Sequence, residues 1–267
     1  MARAVKLDKY IVAGTEYETD SRVAYIIERY GTDSTDAGYL EIDRKPTGEI
    51  DSTIAPMHKT SDNHLGPLNL GDLYYVIPPE TKFKFTGASG SHLRIIGKTL
   101  ILEPGEKLGA PYITRYDRQW DHYLTLKTFT LTLGTDEVFK ANEEKTLAEV
   151  RPPEEEEWRF NNFAGITASG DTIDYGDFAL VIFEAGKRVE YLWTNNIGPG
   201  IDIKSMPLPP NAAYDELYFT FADWPFTAKH DHVVTFKIRN ISGADKAPAT
   251  GSAWSFTMKT IIEFVRR

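Results

Sequence analysis

The segment "HVVTFKIRN", residues 232 to 240, alternates apolar and polar side chains without a break, and "WSFTMKTIIEFV", from Trp254, continues the pattern over twelve residues. A period of two places alternate side chains on opposite faces of an extended chain, so each run reads as a strand with one buried face. Val234, Phe236 and Ile238 share one face of the first. Trp254, Phe256, Met258, Thr260, Ile262 and Phe264 share one face of the second. Apolar spacing of helical period is scarce elsewhere, and strands this long call for a tall sandwich or barrel.

From Tyr123 onward, strand-like runs fall at 123–133, 145–150, 157–163, 178–184, 188–194, 214–222, 231–240 and 252–265, eight in all. Eight antiparallel strands in two packed sheets is the jelly-roll number. "FALVIFE" and "RVEYLWT" flank the short loop "AGK" and read as a hairpin. "TNNIGPGIDIKSMPLPPN" reads as a long ordered loop between strands. Upstream, shorter runs occur at 22–30, 38–43, 73–77, 81–86, 92–96 and 98–102, and no internal repeat is visible. The stretch "LEPGEKLGAPYITRYDRQW" is rich in Gly, Pro and charge and reads as a boundary. The expected fold is all-β: an N-terminal arm over residues 1–20, a β-rich region over 21–115 that could project as its own domain, and an eight-stranded jelly roll or β-sandwich over 116–267.

Composition narrows the function. No apolar run approaches the roughly 18 residues of a membrane-spanning helix. Lys6, Asp8 and Lys9 interrupt the place where the apolar core of a signal peptide would lie, so the chain reads as unprocessed and made in the cytoplasm. There is no cysteine, which removes disulfides, thiolate ligands and thiol nucleophiles. A net charge of −9 disfavours direct nucleic-acid binding, with Arg3, Lys6 and Lys9 supplying only a thin basic start. One glutamine, Gln119, and four methionines fit the depletion of labile residues described for thermophile proteins.

Several stretches invite a chemical reading. "HDH", with His230 and His232 at i and i+2, is similar to the opening of the cupin metal motif. Phe236 and Lys237 stand where that motif needs a carboxylate, however, and no histidine follows His232. His58, His64, His92 and His122 are scattered upstream, and a metal needs three or four convergent donors. The start of a structural strand is the simpler reading.

"YLEIDRKPTGE" resembles the Glu-aliphatic-Asp-x-Glu core of laminarinase-like glycosidases in Glu41 and Asp43, but Lys45 occupies the third acidic position and Pro46 is expected to end the strand. Glu49 lies past that turn, whereas retaining hydrolysis needs its two carboxyl groups about 5–5.5 Å apart. Asp171, Asp174 and Asp177 form an oxygen-rich loop that could take calcium or be ordinary turn chemistry. "PPEEEE", Pro152 to Glu157, reads as a solvated acidic turn. No catalytic residue, metal ligand or cofactor is expected.

Aromatic residues are the remaining contact candidates. In "YFTFADWPFTAKH" alternation sends Leu217, Phe219 and Phe221 inward, leaving Trp224 for a loop rim, where Trp193 and Tyr214 join it as expected contact positions. The eight runs from Tyr123 to Phe264, the long terminal strand and the loop "NNIGPGIDIKSMPLPP" together resemble the jelly-roll coat proteins of icosahedral viruses. That resemblance implies a non-catalytic capsid subunit that associates with itself and with other capsid proteins in a virion. The weak basic arm then implies indirect contact with the genome, through an internal protein or membrane layer. A carbohydrate- or receptor-binding fibre or spike module, with a surface glycan as ligand, is the competing reading, and a jelly-roll glycosidase the third.

Overall fold

The structure, a computed structural model, describes residues 2–58, 66–135, 137–169, 174, 176–188, 201–202, 219–220 and 226–267. Among these no helix is long and apolar enough to cross a membrane. The all-β antiparallel expectation holds: strands dominate, and one α-helix of nine residues is described. The chain divides into two compact units. One is built mainly from Met1–Leu126 with Glu263–Arg266, the other mainly from residues between Lys127 and Ile262.

The first unit contains β1 (Arg3–Val12), β2 (Glu16–Glu18), β3 (Val23–Thr32), β4 (Gly38–Ile42), β5 (Lys45–Ile50), β6 (Leu68–Asn69), β7 (Tyr75–Ile77), β8 (Lys82–Thr86), β9 (His92–Ile101) and the helix α1 (Ala110–Arg118). One sheet has the order β1-β9-β3, with β6 and β7 both on the outer side of β3; the other has the order β2-β8-β4-β5. Setting aside the two-residue β6, the strands count first, eighth, third and sixth in one sheet, and second, seventh, fourth and fifth in the other. That is jelly-roll order. Leu7, Ile11, Tyr30 and Ile95 from one sheet meet Leu40, Ile42, Phe83 and Phe85 from the other in a single buried cluster.

The second unit contains β10 (His122–Leu133, beginning in the first unit), β11 (Glu144–Val150), β12 (Glu156–Ser169), β13 (Phe178–Glu184), β14 (Lys187–Arg188), β15 (Ile201–Asp202), β16 (Phe219–Thr220), β17 (Phe226–Ala228), β18 (Val234–Asn240) and β19 (Trp254–Arg266). Its sheets run β10-β19-β12, with β16 and β17 outside β12, and β11-β18-β13-β14, with β15 also on β13. The strand order of the first unit is repeated. The apolar stripes of β18 and β19 interleave in the core with Phe160, Phe178, Leu180 and Ile182.

Four local expectations are corrected. Residues 1–20 are not a free arm: β1 pairs with β9 from Arg3↔Ile101 to Val12↔His92, because Leu7 and Ile11 fall on one face and are buried despite the charges between them. The break expected between residues 96 and 98 does not occur, since Gly97 lies inside a continuous β9. The acidic strand ends at Ile42, and Asp43 and Arg44, with φ of 49° and 62°, form a two-residue turn into β5. Pro46 therefore sits within a strand, which it tolerates because β5 is a sheet edge. The Gly- and Pro-rich boundary stretch contains α1, with Gly109 at its N-cap and Pro in its first turn, both favoured at helix starts. Most of the expected strand 214–222 and of the loop 194–211 lies outside the described residues.

Candidate functional site

A cavity of about 270 Å³ in the second unit is lined by titratable groups, and the "HDH" stretch forms part of its wall. Its geometry starts from a tight turn. The Lys229 N–H donates to the His232 carbonyl at 2.9 Å and the His232 N–H donates back at 3.1 Å, so His230 and Asp231 occupy the two corner positions between β17 and β18. The two histidines therefore sit in a turn rather than one strand apart on a common face. His230 lines the cavity, whereas the His232 ring lies 2.9 Å from a Glu184 carboxylate oxygen at the end of β13.

Opposite the turn, Glu157 is the second residue of β12 and is 5% exposed. Arg159, two residues on and so on the same face, donates Nε to its Oε1 at 2.6 Å, and Arg267 donates Nη2 to Oε2 at 2.6 Å. Lys229 Nζ stands 3.5 Å from Oε2. The Arg267 N–H adds a bond to the Glu155 carbonyl at 2.9 Å. The acidic tract is thus not wholly solvated. Burial alone would raise the Glu157 carboxyl above its ordinary range, but the hydrogen bonds from Arg159 and Arg267 outweigh it and hold the group below that range.

A general acid working near neutrality needs the opposite displacement. Here both carboxylate oxygens are already engaged, and the arrangement is suited to locking residues 157, 159, 229 and 267 together. Because the folded group is shifted downward, its stabilisation is complete above the ordinary value near 4.3 and is lost as pH falls through the lower folded value. Glu157→Gln is expected to cost about 2 kcal/mol at neutral pH and to flatten the acid side of the stability curve. Urea midpoints measured from neutral to strongly acidic pH check both effects.

The other sequence candidates separate in space or in role. Glu41 on β4 pairs across the sheet with Lys84 of β8 at 3.1 Å, while Asp43 stands in the left-handed turn that ends the strand. Glu49 lies on the neighbouring β5 opposite Tyr39, because the turn falls at Asp43 and Arg44, before Pro46 rather than after it. Asp177 accepts the Asp174 N–H at 3.0 Å and pairs with Lys246 at 2.9 Å, the pattern of a charge-stitched turn. Asp171, Trp193, Tyr214, Trp224 and His64 lie outside the described residues.

Sequence reasoning did not anticipate the convergence on Glu157, although the Glu-Trp-Arg alternation within β12 is a local signal for it. It also missed the bidentate Arg94 to Asp8 pair between β9 and β1, at 2.8 and 2.9 Å.

No protein-family model matches the chain, and no curated protein matches it. Solved structures similar to it include two viral capsid proteins. The major capsid protein P2 of bacteriophage PM2 is 12% identical with a TM-score of 0.35, over 100% of this chain and 99% of that one. The capsid of PBCV-1 virus is 10% identical with a TM-score of 0.32, over 99% of this chain and 95% of that one. At such scores the likeness carries no functional weight, and the strand order has to stand on its own.

Proposed function

We propose that this chain is a structural subunit of a viral capsid, non-catalytic and acting through its surfaces. The observation that carries this reading is the repetition, within one chain, of two complete jelly-roll strand orders, an architecture used by capsid and lectin domains and by cupins. The groups that would have signalled an enzyme are committed to internal pairs: Glu157 to Arg159 and Arg267, Glu41 to Lys84, Asp177 to Lys246, and His232 to Glu184. The partners in this reading are further copies and other capsid proteins. The genome is reached indirectly, through an internal protein or membrane layer, since the basic start Arg3–Val12 is tied into a sheet with Lys9 stacked over the Tyr17 and Tyr25 rings.

Light scattering after size exclusion and negative-stain microscopy of the purified chain, alone and with the other capsid proteins encoded beside it, test this. Uniform capsomers or shells that persist at high salt are expected, because few phosphate contacts are made. A chain that stays monomeric in every mixture and binds immobilised glycans saturably would overturn the proposal in favour of a binding module.

A further inference from the structure

Strand β1 is an edge of its sheet, and among the described residues it pairs with β9 alone. The direction of its backbone groups follows from two neighbouring hydrogen bonds at its end. The Ala13 N–H donates to the Ser91 carbonyl, on the β9 side, at 2.8 Å, and the Val12 N–H donates to the Tyr17 hydroxyl at 3.2 Å. Amides alternate in direction along a strand. The odd-numbered residues therefore bond to β9, and Ala4, Lys6, Asp8 and Tyr10 present N–H and C=O groups to the open edge. Both ends of this row are capped, by Tyr17 at Val12 and by a Glu106 oxygen 2.7 Å from the Ala2 nitrogen.

Sheet edges are usually blunted by Pro, by charge or by shortness. In the same unit β5 carries Pro46 and β2 has three residues, whereas β1 runs for ten with no proline and has only charge, Lys6 and Asp8, at its edge-facing positions. Its exposed side chains include Lys6, with 78% of its side chain accessible, and Tyr10 at 45%.

We propose that β1 is a self-pairing edge: two copies of this chain join antiparallel through it, with Lys6 opposite Asp8 of the partner copy. Charge pattern selects both occupant and register. Centred on Leu7, the two-fold pairing places Lys6 against Asp8 twice and Tyr10 over Ala4 twice, all at positions whose backbone groups face the partner. Sliding by two residues one way sets Lys6 against Lys6, which is unfavourable for directly opposed side chains; sliding the other way sets Asp8 against Asp8, a weaker penalty because Arg94 of the same copy holds each carboxylate. Lys6 thus disfavours one neighbouring register and Asp8, less strongly, the other. The two-fold axis stands perpendicular to the sheet, so Leu7 and Ile11 of both copies stay on the core side and the two sheets continue into one. The pairing requires only the open edge and holds whether or not the chain builds a capsid.

Lys6→Pro is the decisive variant. The lost N–H points away from β9, so the ladder to β9 is kept, while the donor to the partner copy is removed twice per dimer. Wild type is expected to show a concentration-dependent dimer in light scattering, and Lys6→Pro to weaken it about tenfold or more. Slow amide exchange at Val5 and Leu7 in the variant verifies that β1 remains paired.

A second test uses the cysteine-free background. Ala4→Cys with Tyr10→Cys places thiols in opposed hydrogen-bonded pairs, about 5.5 Å apart at Cα, within disulfide reach. Mild oxidation is expected to yield a covalent dimer from the double variant and not from Ala4→Cys alone. A wild type that is monomeric at all concentrations, an unaffected Lys6→Pro dimer, or equal cross-linking by the single variant would each overturn the inference.

Discussion

Phe236→Ala is expected to destabilise the second unit by about 3–5 kcal/mol, the cost of emptying a large buried aromatic site. Phe236 is fully buried on β18, the strand flanked by both β11 and β13, opposite Ala148 and Ile182. Its ring contacts Phe160 edge-on at a centroid distance of 5.2 Å and lies 6.1 Å from Phe129. The void would open between the two sheets, where neither can collapse inward without shearing its ladder. Phe236→Leu keeps most of the volume and should cost about 1 kcal/mol. Urea unfolding followed by tryptophan fluorescence would report the effect through Trp254 in the same core. A midpoint unchanged by the alanine variant would contradict this placement of β18.

The second large effect is expected at Gly48 in β5. A Cβ there would stand 1.6 Å from the Leu124 carbonyl oxygen and 2.7 Å from its carbon, both backbone atoms. The glycine is held in place by its own polar groups: its N–H donates to the Tyr75 hydroxyl at 3.2 Å and its carbonyl accepts from Tyr30 at 3.5 Å. Neither neighbour can retreat freely. Both tyrosines are buried, and burial holds their hydroxyls above the ordinary titration range, so both stay neutral, Tyr75 accepting from Gly48 and Tyr30 donating to it. Gly48→Ala should therefore cost about 3 kcal/mol or more. Gly66→Ala, where nothing lies within 4 Å of the added carbon, should be nearly neutral. The pair of midpoints separates this collision from a general intolerance of glycine replacement.

What could be read from the sequence follows the range of the interactions involved. The stripes of β18 and β19 were legible because a single strand carries the whole signal, and every residue of those stripes is buried. Strand β1 was obscured because only Leu7 and Ile11 are fully buried on its inner face, and the charges between them suggested an arm. Gly97 read as a break, yet it is where β3 approaches closely: an added Cβ would lie 2.0 Å from the Ile26 carbonyl, next to the register shift between Ile27 and Arg29. The turn at Asp43 and Arg44 was hidden because it takes left-handed backbone without glycine, which no local pattern announces.

The candidate site shows the same division. "HDH" caught the eye as a local motif, but its two rings are parted by a turn that sequence spacing alone does not reveal. Glu157 looked like one of four exposed glutamates, and what distinguishes it is the arrival of Arg267 from 110 residues away. The repeated strand order was invisible for a related reason. Topology is conveyed by which strands pair, and the two units achieve the same pairing with different residues at the matching positions.

That pairing also sets an order in time. In each unit the first strand lies beside the last, so β1 must wait for β9 and β10 must wait for β19, a span from residue 122 to residue 266. Closing so long a loop is paid in chain entropy before any contact rewards it, and folding slows as such distant contacts dominate. As the chain leaves the ribosome, the sheets of the first unit can close once Ile101 has emerged. In the second, β10 and β12 have no strand between them until the final stretch is synthesised, leaving two long open edges until Trp254 and the residues after it have emerged. The interval before β19 arrives is when this chain has most need of a chaperone.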